Sequence, residues 1–87
     1  MNLETLQLYC DVVRLRSISR GAAANTVSQS AASQAIQQLE AELDAPLLDR
    51  SRRPLLPTDQ GRAFYDACRA LLQGFEKARA DLAASRE

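Results

Sequence analysis

Residues 26–43 read TVSQSAASQAIQQLEAEL, and this stretch decides the fold. Apolar side chains recur in it at spacings of four, three and four: Ala32, Ile36, Leu39 and Leu43. That period predicts a helix with one apolar face. The rest of the helix surface is polar but uncharged, because no acidic or basic residue occurs between Arg20 and Glu40.

The side of this helix opposite the apolar residues, called here the polar face, consists of serines and glutamines: Gln29, Ser30, Ser33, Gln34, Gln37 and Gln38. These side chains both donate and accept hydrogen bonds. With no carboxylate among them, they suit insertion against DNA base edges beside phosphates. The alternative is an ordinary exposed helix that happens to be rich in glutamine, and this stretch alone favours neither.

Composition is that of one small globular domain. The 87 residues allow a modest core, and 46% hydrophobic with 25% charged residues is ordinary for a soluble protein. Eleven basic and eleven acidic residues cancel, which argues against a general electrostatic coat for nucleic acid but leaves a local basic patch open. Arginines do cluster, at 14–20 and at 50–53.

The sequence offers no candidate catalytic or metal site. There is no histidine, and no carboxylate pair lies near a nucleophile or a glycine-rich loop. Cys10 and Cys68 fall on apolar faces of predicted helices, so we expect buried free thiols and no disulfide. We predict no enzymatic activity, no metal and no cofactor. Without a signal sequence or a membrane-spanning stretch, the simplest location is the cytoplasm, with no membrane partner.

The first predicted helix is apolar on two sides. Its two stripes are Leu3, Leu6, Cys10 and Val13, and Leu8, Val12 and Leu15. Asn2 or Thr5 is suited to cap it. Two apolar sides indicate more than one neighbour, and a second subunit is one explanation for the extra side.

A short helix and a turn lead into the polar-faced helix. Ser17 or Ser19 can cap a helix over 20–24, whose small side chains permit close packing. Val27 is the expected buried residue of the turn, and Ser28 is suited to cap the next helix. Short helix, tight turn and longer polar-faced helix are the outline of a helix-turn-helix.

A small hairpin is predicted next. Pro46 cannot continue the helix, and the chain then runs extended over 47–50, makes a basic turn at Ser51, Arg52, Arg53 and Pro54, and returns over 55–57. This predicts a wing with arginines at its tip. The alternative is an irregular loop with solvated arginines.

The last predicted helix begins at Thr58, a good N-cap, and carries a heptad pattern of apolar residues. This apolar seam is Phe64, Cys68, Leu71, Phe75, Ala78 and Leu82, with Leu72 beside it. The helix would extend roughly 40 Å at 1.5 Å per residue. The seam could pack on the first helix, but it is longer than any partner helix in the chain, so we favour a dimer.

Taken in order, these elements resemble the N-terminal domain of LysR-type transcriptional regulators. The resemblance rests on SISRGAA at 17–23, VSQSAASQAIQQLEAEL at 27–43, PLLDRSRR at 46–53 and LPTDQG at 56–61. The family implies an all-α fold with a small β-hairpin wing: a winged helix-turn-helix over 1–57, then a linker helix over 58–87 that pairs antiparallel with its twin. It also implies a C-terminal effector-sensing domain, expected to lie outside this fragment, through which alone a small molecule would act. The intact protein could be a tetramer.

The resemblance assigns roles residue by residue. The major-groove face would be Gln29, Ser30, Ser33, Gln34 and Gln37, with Ser19, Arg20 and Ser28 near phosphates. Arg52 and Arg53 match the wing, which approaches the minor groove, while Arg50 would contact the DNA backbone or serve internal structure. The dimer interface would be Phe64, Cys68, Leu71, Leu72, Phe75, Ala78 and Leu82.

Four positions depart from the family pattern. Ser30 replaces a usual proline, and Gln34 stands where a basic residue is frequent. Asn25 replaces a usual leucine, so the turn is expected to pack differently. Asp44 replaces a usual glycine, so the helix is expected to end without a left-handed cap.

The predicted function is sequence-specific binding of double-stranded DNA, as the homodimeric DNA-binding part of a bacterial transcriptional regulator. The rival is a helical protein–protein interaction module without a DNA role, which the zero net charge favours. Binding assays on random and promoter DNA at low salt separate the two.

Overall fold

The structure, a computed structural model, describes residues 1–86. Four helices and a two-stranded antiparallel sheet follow one another as α1 (Leu3–Leu15), α2 (Ile18–Ala24), α3 (Gln29–Leu43), β1 (Leu48–Asp49), β2 (Leu56–Pro57) and α4 (Asp59–Ala84). The predicted class, helical with a hairpin wing and a long last helix, is confirmed. Glu87, at the end of the predicted linker helix, lies outside the described residues. No helix within this range is both long and apolar enough to cross a membrane.

Each helix begins at a side-chain cap. The caps are Asn2, Ser17, Ser28 and Thr58, whose side-chain oxygens accept a backbone N–H three residues on, at 2.9 to 3.1 Å. Asn2 rather than Thr5 therefore starts α1, and Ser17 rather than Ser19 starts α2. Such caps satisfy backbone donors that the first helical turn leaves without partners.

Helix α1 lies at the centre of the core, packed on α2, α3 and α4. Tyr9 and Val12 are fully buried on it. Leu8 and Val12 of the second apolar stripe are buried and Leu15 is half-buried within the single chain, so a second subunit is not needed to explain that side.

Tyr9 joins three parts of the chain through its hydroxyl group. That group donates to the carbonyl oxygens of Leu47 and Gly61, at 3.1 and 2.9 Å. A Cβ on residue 61 would lie 2.7 Å from the Tyr9 oxygen, so this approach of α4 to α1 requires glycine. Burial raises the pKa of Tyr9 well above its ordinary value. The phenol therefore stays a hydrogen-bond donor.

The α1–α2 contact is equally close. A Cβ on Gly21 would lie 2.9 Å from the backbone nitrogen of Val12, so only glycine allows this approach. The turn after α2 is then fixed to α1 by Asn25, whose side-chain NH2 donates to the Gly21 carbonyl and the Asp11 carboxylate, each at 2.9 Å. Asp11 is nearly buried and also accepts from Arg14 at 3.1 Å. The amide that replaces the usual leucine thus gives the turn a polar anchor.

Two details of the helix ends differ from expectation. Val27 is 43% exposed rather than buried, because backbone bonds close the turn and the Asn25 side chain occupies the inner position. Asp44 has φ 52° and ψ 46°, so α3 does end in a left-handed residue although no glycine is present. Aspartate is among the few side chains that adopt this conformation with little penalty.

The predicted wing forms. Leu48 pairs with Pro57 and Asp49 with Leu56 in antiparallel register. The backbone N–H of Leu55 donates to the Arg16 carbonyl at 3.3 Å, which ties the wing to the end of α1. The wing is therefore held beside the start of α2.

The two interpretations of the apolar seam apply to different parts of α4. Its first part packs on α1, where the Phe64 and Tyr9 ring centroids are 5.8 Å apart and Phe64 and Leu72 are partly buried against the core. Leu71, beside this packed part, and Phe75 and Leu82 further along the helix are 54%, 47% and 57% exposed. The boundary predicted after residue 57 falls between the end of β2 and the Thr58 cap of α4, and the division into two domains stays a prediction.

Cys68 is the seam residue that the structure removes from the predicted dimer interface. It is 3% exposed within the single chain, because it packs against α1 with Cys10 and leaves almost no surface for a partner. Both cysteines are free and buried, as predicted. Burial raises the pKa of the Cys10 thiol to about 12 and also raises that of Cys68. These thiols are therefore packing residues.

Candidate nucleic-acid interface

Helix α3 presents its polar face outward. Ala32, Ile36 and Leu39 are at most 1% exposed and anchor the helix on the core. On the other side, the exposed residues are Gln29, Ser30, Gln34, Gln37 and Gln38, with Ser33 half-buried between them. The apolar back thus fixes which side chains reach solvent.

A cleft of about 440 Å³ lies between α3, the α1–α2 junction and the wing. This α3–wing cleft is lined by Arg16, Ser17, Ile18, Ser19, Gln29, Ser33, Gln37, Arg50, Arg53, Pro54 and Leu55. Six of the predicted DNA-binding residues are therefore brought together there. Among residues 1–86, no carboxylate lines the cleft. Guanidinium, hydroxyl and amide groups without an acid favour an anionic ligand.

The other five predicted residues lie outside this lining. Arg20, Ser30, Gln34 and Arg52 are exposed. The Ser28 hydroxyl oxygen accepts the Ala31 backbone N–H at 3.1 Å, so its cap function occupies one of its lone pairs. Arg20 lies on the exposed side of α2, and Arg52 lies at the tip of the wing.

Arg50 has an internal partner. One guanidinium nitrogen donates to Glu40 at 3.1 Å, and its other terminal nitrogen, Nη2, is buried without a hydrogen-bond partner among residues 1–86. Glu40 also accepts the backbone N–H groups of Leu47 and Leu48, at 2.7 and 3.4 Å. Of the two roles considered for Arg50, these contacts support internal structure. The pair joins the end of α3 to the wing, a role of Glu40 that sequence reasoning missed.

The two wing arginines are held differently. Arg53 donates from one nitrogen to the carbonyls of Arg50 and Arg52, both at 2.8 Å. Arg52 lies 3.5 Å from the Asp49 carboxylate in an exposed pair, which contributes little to stability. Hydrogen bonds from Ser51, followed by the charge of Arg52, hold the pKa of Asp49 below its ordinary value. The carboxylate therefore keeps its negative charge and partly offsets Arg52.

The zero net charge hides a local basic patch. Among the arginines of the α1–α2 junction and the wing, Arg16, Arg20 and Arg53 have no carboxylate within 4.0 Å in the described part of the chain, whereas Arg14, Arg50 and Arg52 each have one. The carboxylates of α3 lie at its far end, where Glu42 pairs with the N-terminal amine at 3.2 Å. Sequence reasoning missed Arg16. Its place directly before the α2 cap is the signal that could have found it.

A family model described as a bacterial regulatory helix-turn-helix protein of the lysR family matches residues 3–62. The chain belongs to the LysR family. The match covers α1, the helix-turn-helix, the wing and the first turn of α4.

Curated LysR-family relatives are transcriptional regulators by name. The chain is 36% identical over 78 residues to the nitrogen assimilation regulatory protein nac of Escherichia coli K12, a match that covers 90% of this chain and 26% of the relative. It is 41% identical over 83 residues to the HTH-type transcriptional regulator BudR of Klebsiella aerogenes, a match that covers 91% of this chain and 58% of the relative. The chain thus spans about a quarter of the length of nac.

Solved structures of similar chains include DNA complexes. The complex of BenM_DBD with benA site 1 DNA superposes with a TM-score of 0.94 at 30% identity, covering 100% of this chain and 98% of that chain. The CbnR_DBD–DNA complex superposes with a TM-score of 0.87 at 28% identity, and the match covers 100% of both chains. The LysR-family fold, with its long last helix, therefore extends over the whole chain.

Proposed function

We propose that this chain binds double-stranded DNA sequence-specifically, as the dimeric DNA-binding part of a transcriptional regulator. The observation that carries the proposal is the outward polar face of α3, flanked by Arg16, Arg20 and Arg53, which have no acidic partner among the described residues. DNA complexes of chains with the same fold support it.

The polar face supplies the groups that base recognition needs. Gln29, Ser33 and Gln37 are four residues apart and lie along one line of the helix, beside the α3–wing cleft. A glutamine can bond adenine through two groups, which discriminates against other bases by about 1–3 kcal/mol. We place this row in the major groove, with Ser30 and Gln34 beside it.

Hydroxyl and guanidinium groups around α3 would hold the DNA backbone. Ser19, Arg20 and Ser28 lie at the starts of α2 and α3, where exposed groups can meet phosphates. Arg52 and Arg53 at the wing would approach the minor groove. These contacts position the helix, whereas the polar face selects the sequence.

The exposed part of the seam would form the dimer. Leu71, Phe75 and Leu82 project an apolar line beyond the core, and covering it with a second α4 removes it from water. A dimer presents two α3 helices to two half-sites.

Selection of binding sites from random duplex DNA by the whole chain tests the proposed function. We expect an enriched sequence with two related half-sites. If no sequence is enriched and the chain binds no duplex at low salt, the α4 seam would instead support the rival function, a protein-interaction module.

The salt dependence of binding is expected to be moderate. Around α3 and the wing, Arg16, Arg20 and Arg53 lack an acidic partner in the described residues, so a dimer would neutralise about six phosphates and the slope of log K against log salt would be about −5. Fluorescence anisotropy at several salt concentrations measures it. A slope as steep as about −10 would contradict the assignment of about six phosphate contacts to the dimer.

A further inference from the structure

We propose that Arg16 is a further phosphate contact of this chain and that, with Arg53, it holds one DNA strand across the α3–wing cleft. The inference rests on the proposed function. Arg16 lies outside the site predicted from the sequence, and its backbone has a left-handed conformation.

Arg16 occupies a position where glycine would be the ordinary choice. It is the C-cap of α1, with φ 56° and ψ 35°, in the left-handed region. Glycine adopts this conformation without steric cost, whereas a residue with a Cβ does not. Nothing in the contacts of α1 requires an arginine side chain here. Its guanidinium makes no ion pair within 4.0 Å in the part of the chain described.

The backbone of Arg16 is nevertheless held firmly. Its N–H donates to the Val13 carbonyl at 3.2 Å, and its carbonyl accepts the Leu55 N–H at 3.3 Å. The Cα is therefore fixed between the end of α1 and the second strand of the wing. The side chain is exposed at the rim of the α3–wing cleft.

The chemistry of that cleft indicates the ligand. Arg16 shares the lining with Arg53 and with Arg50, whose charge is paired with Glu40. The other polar groups of the lining are the hydroxyls of Ser17, Ser19 and Ser33 and the amides of Gln29 and Gln37. Arg53 is fixed by its bonds to two wing carbonyls. Two guanidinium groups with hydroxyls and no carboxylate match the oxygens of a phosphodiester. The cleft adjoins the polar face of α3, so a strand read by α3 would bring its phosphates there.

The test is Arg16→Gly, because glycine suits the backbone while it removes the charge. We expect the melting temperature to stay the same or rise. The Kd should rise about fivefold on both selected and random duplex, with the salt slope reduced by about 0.9 for each protomer. Arg16→Lys should recover most of the affinity. Arg86→Ala, the same loss of charge at the far end of the chain, should change neither Kd nor slope.

Each other outcome overturns the inference in a recognisable way. An unchanged Kd and slope in Arg16→Gly shows that Arg16 makes no phosphate contact. A loss confined to the selected duplex makes it a base-reading residue, and a loss that follows a fall in melting temperature makes it structural. If the wild-type chain binds no duplex at all, the proposed function fails and this inference fails with it.

Discussion

Replacing Phe75 with aspartate is expected to separate the dimer into monomers and to raise the Kd for a duplex with two half-sites about 100-fold. Phe75 is 47% exposed on the free part of the seam, between Leu71 and Leu82. A carboxylate there would have to be desolvated in an apolar interface without a partner, which is strongly unfavourable. Since two linked half-sites gain about 10² to 10⁴ in affinity, their separation removes that gain.

Sedimentation equilibrium and binding to the two-half-site duplex measure both effects. The control is Ala80→Asp, which introduces the same charge into the same exposed helix on the side away from the seam. It should stay dimeric and bind as wild type does. A Phe75→Asp chain that sediments as a dimer, or an Ala80→Asp chain that dissociates equally, would place the interface elsewhere.

Replacing Glu40 with alanine is expected to lower the free energy of unfolding by about 3 kcal/mol, because it leaves buried donors without an acceptor. The Glu40 side chain is only 14% exposed and accepts from Arg50, Leu47 and Leu48. Arg50 is 37% exposed, so solvent compensates part of the lost pair. DNA affinity should fall too, since the Arg50 carbonyl is one of the two that hold Arg53.

Urea denaturation of matched variants measures how much the contacts of Glu40 with the wing contribute to stability. Glu42→Ala removes a carboxylate only two residues away, whose one ion pair is exposed, and should cost no more than about 0.5 kcal/mol. Removing both charges, as Glu40→Ala with Arg50→Met, should recover part of the stability lost in Glu40→Ala. Equal stability of Glu40→Ala and Glu42→Ala would show that the contacts of Glu40 with the wing contribute nothing to the free energy of unfolding.

Local signals in the sequence predicted most of the architecture. The period of Ala32, Ile36 and Leu39 determines which face of α3 is buried, and therefore which side chains are presented. Pro46 and the Thr58 cap mark where helices stop and start. These features act over three or four residues, so they can be read without coordinates.

What the sequence did not predict depends on residues distant in the chain or on backbone conformation. The Asn25 amide reaches Asp11, and Arg50 reaches Glu40 around the end of α3. The exposure of Val27 follows from the same turn. The sequence predicts that Cys68 is buried but not that α1 of the same chain covers it, because periodicity alone does not fix how far α1 extends along α4. Arg16 was missed because the lack of an acidic partner is a property of the folded chain.

The claim that α3 reads bases is tested most directly by the Kd of wild type and Gln29→Ala, each on the selected duplex and on a scrambled duplex of equal composition. Gln29 is exposed on the polar face and lines the α3–wing cleft. We predict that wild type prefers the selected duplex by about 10³ or more. Gln29→Ala should lose about tenfold on that duplex and less than about twofold on the scrambled one. Equal losses on both duplexes, or no preference in wild type, would contradict the account.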